Sequence, residues 1–338
     1  MDVAVIGLGL IGGSVLRALA AAGHRVLGHD ADPATRATAR TAAARAPAGQ
    51  HWQVAGTLST AVEVADLVVI AVPLPAVAGV LDELAAQRYT GLVTDVTSVK
   101  APVHELAAAR LHQRLARFVG GHPMAGREVA GFANSDPELF AGCAWALCLE
   151  PGVTGLADWL EVADLVTGLG SRVVPATAAE HDRAVATISH VPHLLAAALA
   201  TTAAADPLAG TLAAGSFRDG SRVAASPPDL VAAMCAGNAA ALAPALDQVL
   251  TTLAQARTTL RADDPAGALH PWLAEAAAAR AAWPPVAGTT TELPADVDPL
   301  LQLGRAGGWI TAVAADRRSV RAVAPAASRP AGATAGLR

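Results

Sequence analysis

Lysine is nearly missing from this chain. Lys100 is the only one, and arginine supplies the other positive charges. Aromatic residues make up 3% against 53% hydrophobic residues overall, so the core must be built from alanine, valine and leucine. Alanine is the strongest helix former, which favours closely packed helices. The three cysteines, Cys143, Cys148 and Cys235, give no disulfide framework, and the Cys143/Cys148 spacing fits no common zinc pattern. A net charge of −5 argues weakly against nucleic acid as a partner. No run of about 18 uncharged apolar residues occurs, so no membrane span is expected. The chain enters the strand-like "DVAVIGLG" with no basic leader before it, which reads as a mature cytoplasmic start.

What is present falls into two textures. Apolar runs rich in β-branched residues, "VAVIG", "HRVLGHD", "ADLVVIAVP", "GLVTDV", "ARFVGGHP", "AWALCLEP" and "SRVVPA", alternate with helical spacing up to about residue 175. That alternation predicts βαβ units and a parallel sheet. From 176 to 283 the text is Ala/Leu segments broken by "ADPLAG", "GSFRDGSR", "SPPD" and "ADDPAG", which predicts an all-helical domain. Residues 284–338 read as a linker through Pro299, a small β-hairpin turning at "ADRRS", and a disordered tail. The 338 residues thus give an α/β Rossmann-type dinucleotide-binding domain (1–175) followed by a helical domain that we expect to pair with a second copy as a homodimer.

"VAVIGLGLIGGS" holds G-x-G-x-x-G at Gly7, Gly9 and Gly12, after a strand and before a helix. The first glycine permits the turn, the second lets backbone approach a pyrophosphate, and the third lets helix and strand pack closely. Leu10 and Ile11 open the helix whose N-terminus faces the phosphates. Asp30 ends the second strand, about 20 residues on, where an acid binds ribose hydroxyls and repels a 2′-phosphate. NAD is therefore expected, although Arg36 and Arg40 keep NADP open. Val72 and Pro73, after a further strand, are expected to line the nucleotide.

Ligands of open α/β sheets sit beyond the carboxyl ends of the strands. "TDVTSVK" brings Asp95, Ser98 and Lys100 to that edge, and "GGHPMAGREVAGF" brings His122 and Arg127. The helical half adds His181, His190 and His193, then Arg218, Asp219 and Arg222. His190 and His193, three apart around Pro192, share one helix face. They form no metal site, for want of a third ligand. For His181, His190, Lys100 and Arg218 a purely structural role stands beside a ligand contact.

Together "GLGLIGGS", "DVTSVK", "GGHPMAGRE", "HDRAVATISHVPH" and "GSFRDGSR" resemble the prephenate/arogenate dehydrogenases of tyrosine biosynthesis, over roughly residues 1 to 260. The resemblance implies NAD-dependent oxidative decarboxylation of prephenate to 4-hydroxyphenylpyruvate. It implies His122 as the group accepting the hydroxyl proton and Ser98 as its neighbour, orienting it. It implies Arg222 as a carboxylate clamp steadied by Asp219, with His193 or His190 on a second carboxylate. Arg127 stands where relatives often carry a smaller polar residue; facing the cleft it would favour prephenate over the amino acid arogenate. Val231 stands where some relatives carry tryptophan. The rival readings are an arogenate dehydrogenase, a β-hydroxyacid or imine-type reductase, and a non-catalytic NAD-binding scaffold.

Overall fold

The computed structural model describes residues 1–127 and 129–326. The disordered tail expected at the C-terminus lies outside them. The first half runs β1 (Asp2–Ile6), α1 (Leu10–Ala21), β2 (Arg25–His29), α2 (Pro33–Ala43), β3 (Gln53–Val54), α3 (Leu58–Val62), β4 (Leu67–Ile70), α4 (Leu74–Ala86), β5 (Leu92–Asp95), α5 (Ala101–Leu111), β6 (Phe118–Val119) and β7 (Gly121–Pro123). After these come β8 (Ala144–Cys148), α6 (Leu156–Gly168) and β9 (Arg172–Ala176). Strands β1 to β6 form one parallel sheet in the order β3-β2-β1-β4-β5-β6. The order reverses between β1 and β4, which opens a crevice at the carboxyl ends of those strands. Val68, Ile70 and Ala4 are fully or almost fully buried, as strands covered by helices on both faces require.

Sequence spacing predicts one strand through "ARFVGGHP", and the structure breaks it in two. Phe118–Val119 closes the parallel sheet, while Gly121–Pro123 opens a second one. The break has a local cause. The N–H of Gly121 donates to Oδ1 of Asp95 at 3.1 Å, and its carbonyl accepts from Nζ of Lys100 at 2.6 Å. A Cβ on Gly121 would stand 2.7 Å from the Asp95 carbonyl oxygen, so this register needs glycine.

The second half of the chain begins with α7 (Ala178–Val185) and α8 (Val191–Ala204), joined by a wide turn of π-helix at Ala186–His190. Thr177 and Glu180 form a reciprocal cap at the start of α7. Pro192 has no N–H and its ring crowds the preceding turn; the wider π turn before it accommodates that defect. By length and composition alone the continuous helix Ala178–Ala204 would suit a bilayer span. Its polar residues His181, Asp182 and His190 are instead buried against protein. The helices α9 (Pro207–Leu212), α10 (Gly215–Ser221), α11 (Pro228–Gly237), α12 (Ala239–Thr259) and α13 (Pro265–Ala281) complete the helical region. Its own core is small: Ala186, Val191 and Leu242, with partly buried Leu194, Leu246 and Val249 around them.

Residues 284–299, read from sequence as linker, contain β10 (Ala287–Pro294) and the start of α14 (Val297–Arg305). The strands β11 (Trp309–Val313) and β12 (Ser319–Pro325) follow as an antiparallel pair. The second sheet is therefore mixed, in the order β10-β12-β11-β9-β8-β7. The polar "AGTTTELP" hides its strand character because β10 is an exposed edge that pairs with β12. Leu300 and Leu301 of α14 pack into the main core, and Gly304 lies against the carbonyl of Pro175 where a Cβ would collide at 1.8 Å.

Candidate active site

At the crevice, Gly7 takes a φ of +95° and donates its N–H to the carbonyl of His29 at 2.7 Å. A Cβ on Gly12 would fall 1.9 Å from the Gly7 carbonyl oxygen, so turn and helix close only over glycine. A Cβ on Gly9 would meet nothing within 4 Å, and α1 begins there without a side-chain cap. This leaves an open cradle at a positive helix end, the form that holds a pyrophosphate. Leu10 and Ile11 begin α1, and Val72 and Pro73 follow β4 beside the turn. Oδ2 of Asp30 accepts the Leu8 N–H at 2.7 Å and Oδ1 accepts that of Asp32 at 2.8 Å. The acid is thereby aimed at the glycine turn, and each oxygen keeps a second lone pair. The guanidinium of Arg36 bonds the carbonyls of Asp30 at 2.6 Å and Ala31 at 3.0 Å, and Arg40 reaches that of Val54 at 3.3 Å. The residues present fit a dinucleotide.

Beyond β5 and β7 lies a chain of hydrogen bonds. Nδ1 of His122 stands 2.9 Å from Nε2 of His181, and Nδ1 of His181 stands 2.7 Å from Oδ1 of Asp182. The Asp182 carboxylate is fixed in turn by the N–H groups of Lys100 and Ala101, both at 2.8 Å, at the start of α5. Beneath it Nζ of Lys100 bonds Asp95, Thr97 and the Gly121 carbonyl, fully buried. Asn238, at the junction of α11 and α12, donates to the carbonyl of Asp182 at 2.8 Å and lies 3.1 Å from Nδ1 of His190.

The protons of the chain can be placed. An ionised carboxylate only accepts, so His181 carries its proton on Nδ1 and offers a lone pair at Nε2. His122 must then carry its proton on Nδ1, which leaves Nε2 as a base. Burial first, then the charges of His181, Lys100 and His190, hold the His122 pKa well below the ordinary histidine value. Burial likewise lowers His181, against the hydrogen bond to Asp182 that raises it. For Asp182, burial raises the pKa, but the bonds from His181, Ala101 and Lys100 prevail and lower it.

The residues picked out in sequence are thus partly assembled. His122 is at the centre. Ser98, half-buried at the same edge, is not its hydrogen-bond partner in the structure; His181 orients the ring instead. His190 is buried and takes Asn238, while His193 is half-buried one turn on. Arg127 forms an ion pair with Asp136 at 2.6 Å. Asp219 faces Arg218 at 3.5 Å on the surface. Arg222 is exposed at the end of α10. Sequence reasoning missed Asp182 and Asn238 as parts of the site; the signal for the first was the "HD" pair at a capped helix start. Two clefts, of about 620 and 860 Å³, lie elsewhere, one between α1, α2 and Phe132 and one around Asp66 and Arg117.

A glycine turn at the reversal of a parallel sheet, with a half-buried base at its edge and a helical region beside it, defines a two-part nucleotide-binding oxidoreductase. Comparison with known proteins makes that particular. Residues 15–175 match the family model described as the nucleotide-binding domain of prephenate dehydrogenase, and 177–275 match its dimerization domain. The chain belongs to the prephenate dehydrogenase family. It is 31% identical to the prephenate dehydrogenase of Lactococcus lactis over 65% of this chain and 60% of that one. It is 33% identical to the cyclohexadienyl dehydrogenase of Zymomonas mobilis over 78% of this chain and 89% of that protein. A Corynebacterium glutamicum structure assigned to prephenate dehydrogenase is 35% identical with a TM-score of 0.76, covering 84% of this chain and 90% of that one.

Proposed function

We propose that the protein oxidises prephenate with NAD, releasing carbon dioxide and 4-hydroxyphenylpyruvate. The observation that carries this is the chain Asp182–His181–His122, which ends in an unprotonated Nε2 beside the nucleotide crevice. When bound, the nicotinamide supplies the hydride acceptor. Nε2 of His122 takes the proton of the ring hydroxyl as its carbon gives up hydride, and the carboxylate leaves as the ring becomes aromatic. The carboxylates of the substrate are read by Arg222, with His193 and His190 on the same side, and Ser98 meets the hydroxyl. Gly7, Gly9, Leu10, Ile11, Gly12, Asp30, Val72 and Pro73 hold the nucleotide. Asp30 disfavours a 2′-phosphate, and both nearby arginines are engaged by backbone carbonyls, which supports NAD over NADP.

A second reading has a specific observation in its favour. Arg127 was the residue expected to select a keto acid over an ammonium group, and Asp136 neutralises it. Arogenate is then accommodated by the same chemistry. The helical region exposes Leu195, Leu199, Leu250 and Leu253 over a small core, and this supports a homodimer through those helices. Steady-state formation of NADH and NADPH with prephenate and with arogenate tests the reading. Turnover of prephenate with NAD is expected; turnover of neither substrate defeats it.

A further inference from the structure

We infer that Asn238 is a positioning residue that holds His190 as a neutral donor, so that Asp182 sets opposite tautomers on the two histidines of the cleft. The argument begins with the Asn238 amide, which is buried. One of its atoms lies 2.8 Å from the backbone carbonyl oxygen of Asp182. A carbonyl has no proton to give, so the atom facing it is the NH₂ group, and the amide has only one sensible orientation. The same NH₂ lies 3.1 Å from Nδ1 of His190. It has no lone pair to offer, so Nδ1 must supply one and the ring proton resides on Nε2. Among the described residues Nε2 of His190 has no hydrogen-bond partner, which leaves its N–H to donate.

Two branches therefore leave Asp182. Its carboxylate acts through His181 and leaves His122 with a free lone pair on Nε2. Its backbone carbonyl acts through Asn238 and leaves His190 with a free proton on Nε2. The cleft acquires one acceptor and one donor, both uncharged.

The distinction matters for the base. A charge on His190 would lower the proton affinity of His122, to which it is electrostatically coupled. The groups facing His190 pull in both directions: Asp182 favours its cation, while burial, His181 and His193 oppose it. With Nδ1 facing an amide donor, a second proton can enter only by breaking that bond. His190 can then donate to an oxygen of the substrate without competing for the proton that His122 must take. This last step rests on the dehydrogenase reading above; the tautomer itself does not.

The test uses the full chain labelled with ¹⁵N-histidine and long-range ¹H–¹⁵N correlation, with His190→Gln to assign the signal. At neutral pH His190 should show an unprotonated Nδ1 and a protonated Nε2. A proton on Nδ1, alone or with Nε2, overturns the inference whether or not the enzyme turns over prephenate. In Asn238→Asp the new carboxylate accepts from Nδ1, so a proton should appear on Nδ1, and the added negative charge should move the His190 titration upward. In the same variant kcat/KM should fall about tenfold, the scale of one misplaced hydrogen bond, and its acid limb should shift to lower pH, because a charged His190 lowers the proton affinity of His122. A doubly protonated His190 with an unchanged pH profile would overturn the link to the base. Prephenate turnover absent in the parent protein, with the tautomer as stated, would count against the proposed function alone.

Discussion

Nε2 of His181 meets Nδ1 of His122 at 2.9 Å although the residues are 59 positions apart and belong to different parts of the fold. The contact exists because β7 is pinned at Gly121 by Asp95 and Lys100, while α7 is pinned at Asp182 by the first N–H groups of α5. Both anchors converge on the segment 95–101. The base and its orienting partner are thus held from one point.

Replacing His122 by Asn should lower kcat by about 10²- to 10⁴-fold, the usual worth of a positioned general base, with NAD affinity retained. Arg222→Ala should mainly raise KM for the substrate, since a carboxylate clamp binds ground and transition states alike. Steady-state kinetics with a parallel NADH fluorescence titration separates the two. Loss of nucleotide binding in both variants would mean misfolding and undo the assignment.

Asp182→Asn should be nearly as harmful to kcat as loss of His122. The amide can turn its NH₂ towards Nδ1 of His181, which moves the His181 proton to Nε2 and takes away the acceptor that His122 needs. The expected fall is again about 10²- to 10⁴-fold, with KM little changed. A variant with nearly full activity would show that the chain does not govern the base.

The glycine turn, Asp30 and the parallel sheet were legible because their signals are local: a motif, a spacing and a strand period. His122 was legible through the resemblance carried by "GGHPMAG". The His181–Asp182–Asn238 network was not, since it joins three helices whose packing no short pattern encodes. The edge strand β10 escaped for the opposite reason. A solvated edge needs no apolar alternation, and "AGTTTELP" has none. Arg127 and Asp219 have charged neighbours, Asp136 and Arg218, that sequence gave no reason to prefer.

The pH dependence follows from the direction of the histidine shifts. His122, His181 and His190 all have folded pKa values below the ordinary 6.5, with burial as the leading cause. The unfolded chain therefore binds more protons than the folded one just below neutrality, and stability rises with pH there. Stability should be fully present above 6.5 and be lost as pH falls towards the depressed folded values. Activity should persist below the ordinary histidine range, because His122 stays unprotonated there. Denaturant midpoints and kcat/KM measured across that range check both; an acid limb at or above 6.5 would contradict a base whose pKa is held down in this way.

Lys100→Met should destabilise the protein more than any single surface change, by about 3–5 kcal/mol, the cost of leaving one member of a buried ion pair without its partner. Asp95 would keep its charge with only N–H and hydroxyl donors around it, from Gly121 and Thr97. The Gly121 carbonyl would lose the bond from Nζ as well. Because that carbonyl precedes His122, the surviving folded fraction should also show a lower kcat, whereas the nucleotide turn, built from β1 and α1, should bind NAD as before. Arginine is abundant elsewhere in this chain, yet Lys100→Arg should not rescue the fold: the planar guanidinium is too large for a site in which Asp95, Thr97 and the Gly121 carbonyl surround a single nitrogen. Urea unfolding of both variants, with kcat and NADH binding measured below the transition, would reveal the effect; a Lys100→Met protein as stable as its parent would mean that the buried pair does not anchor β7.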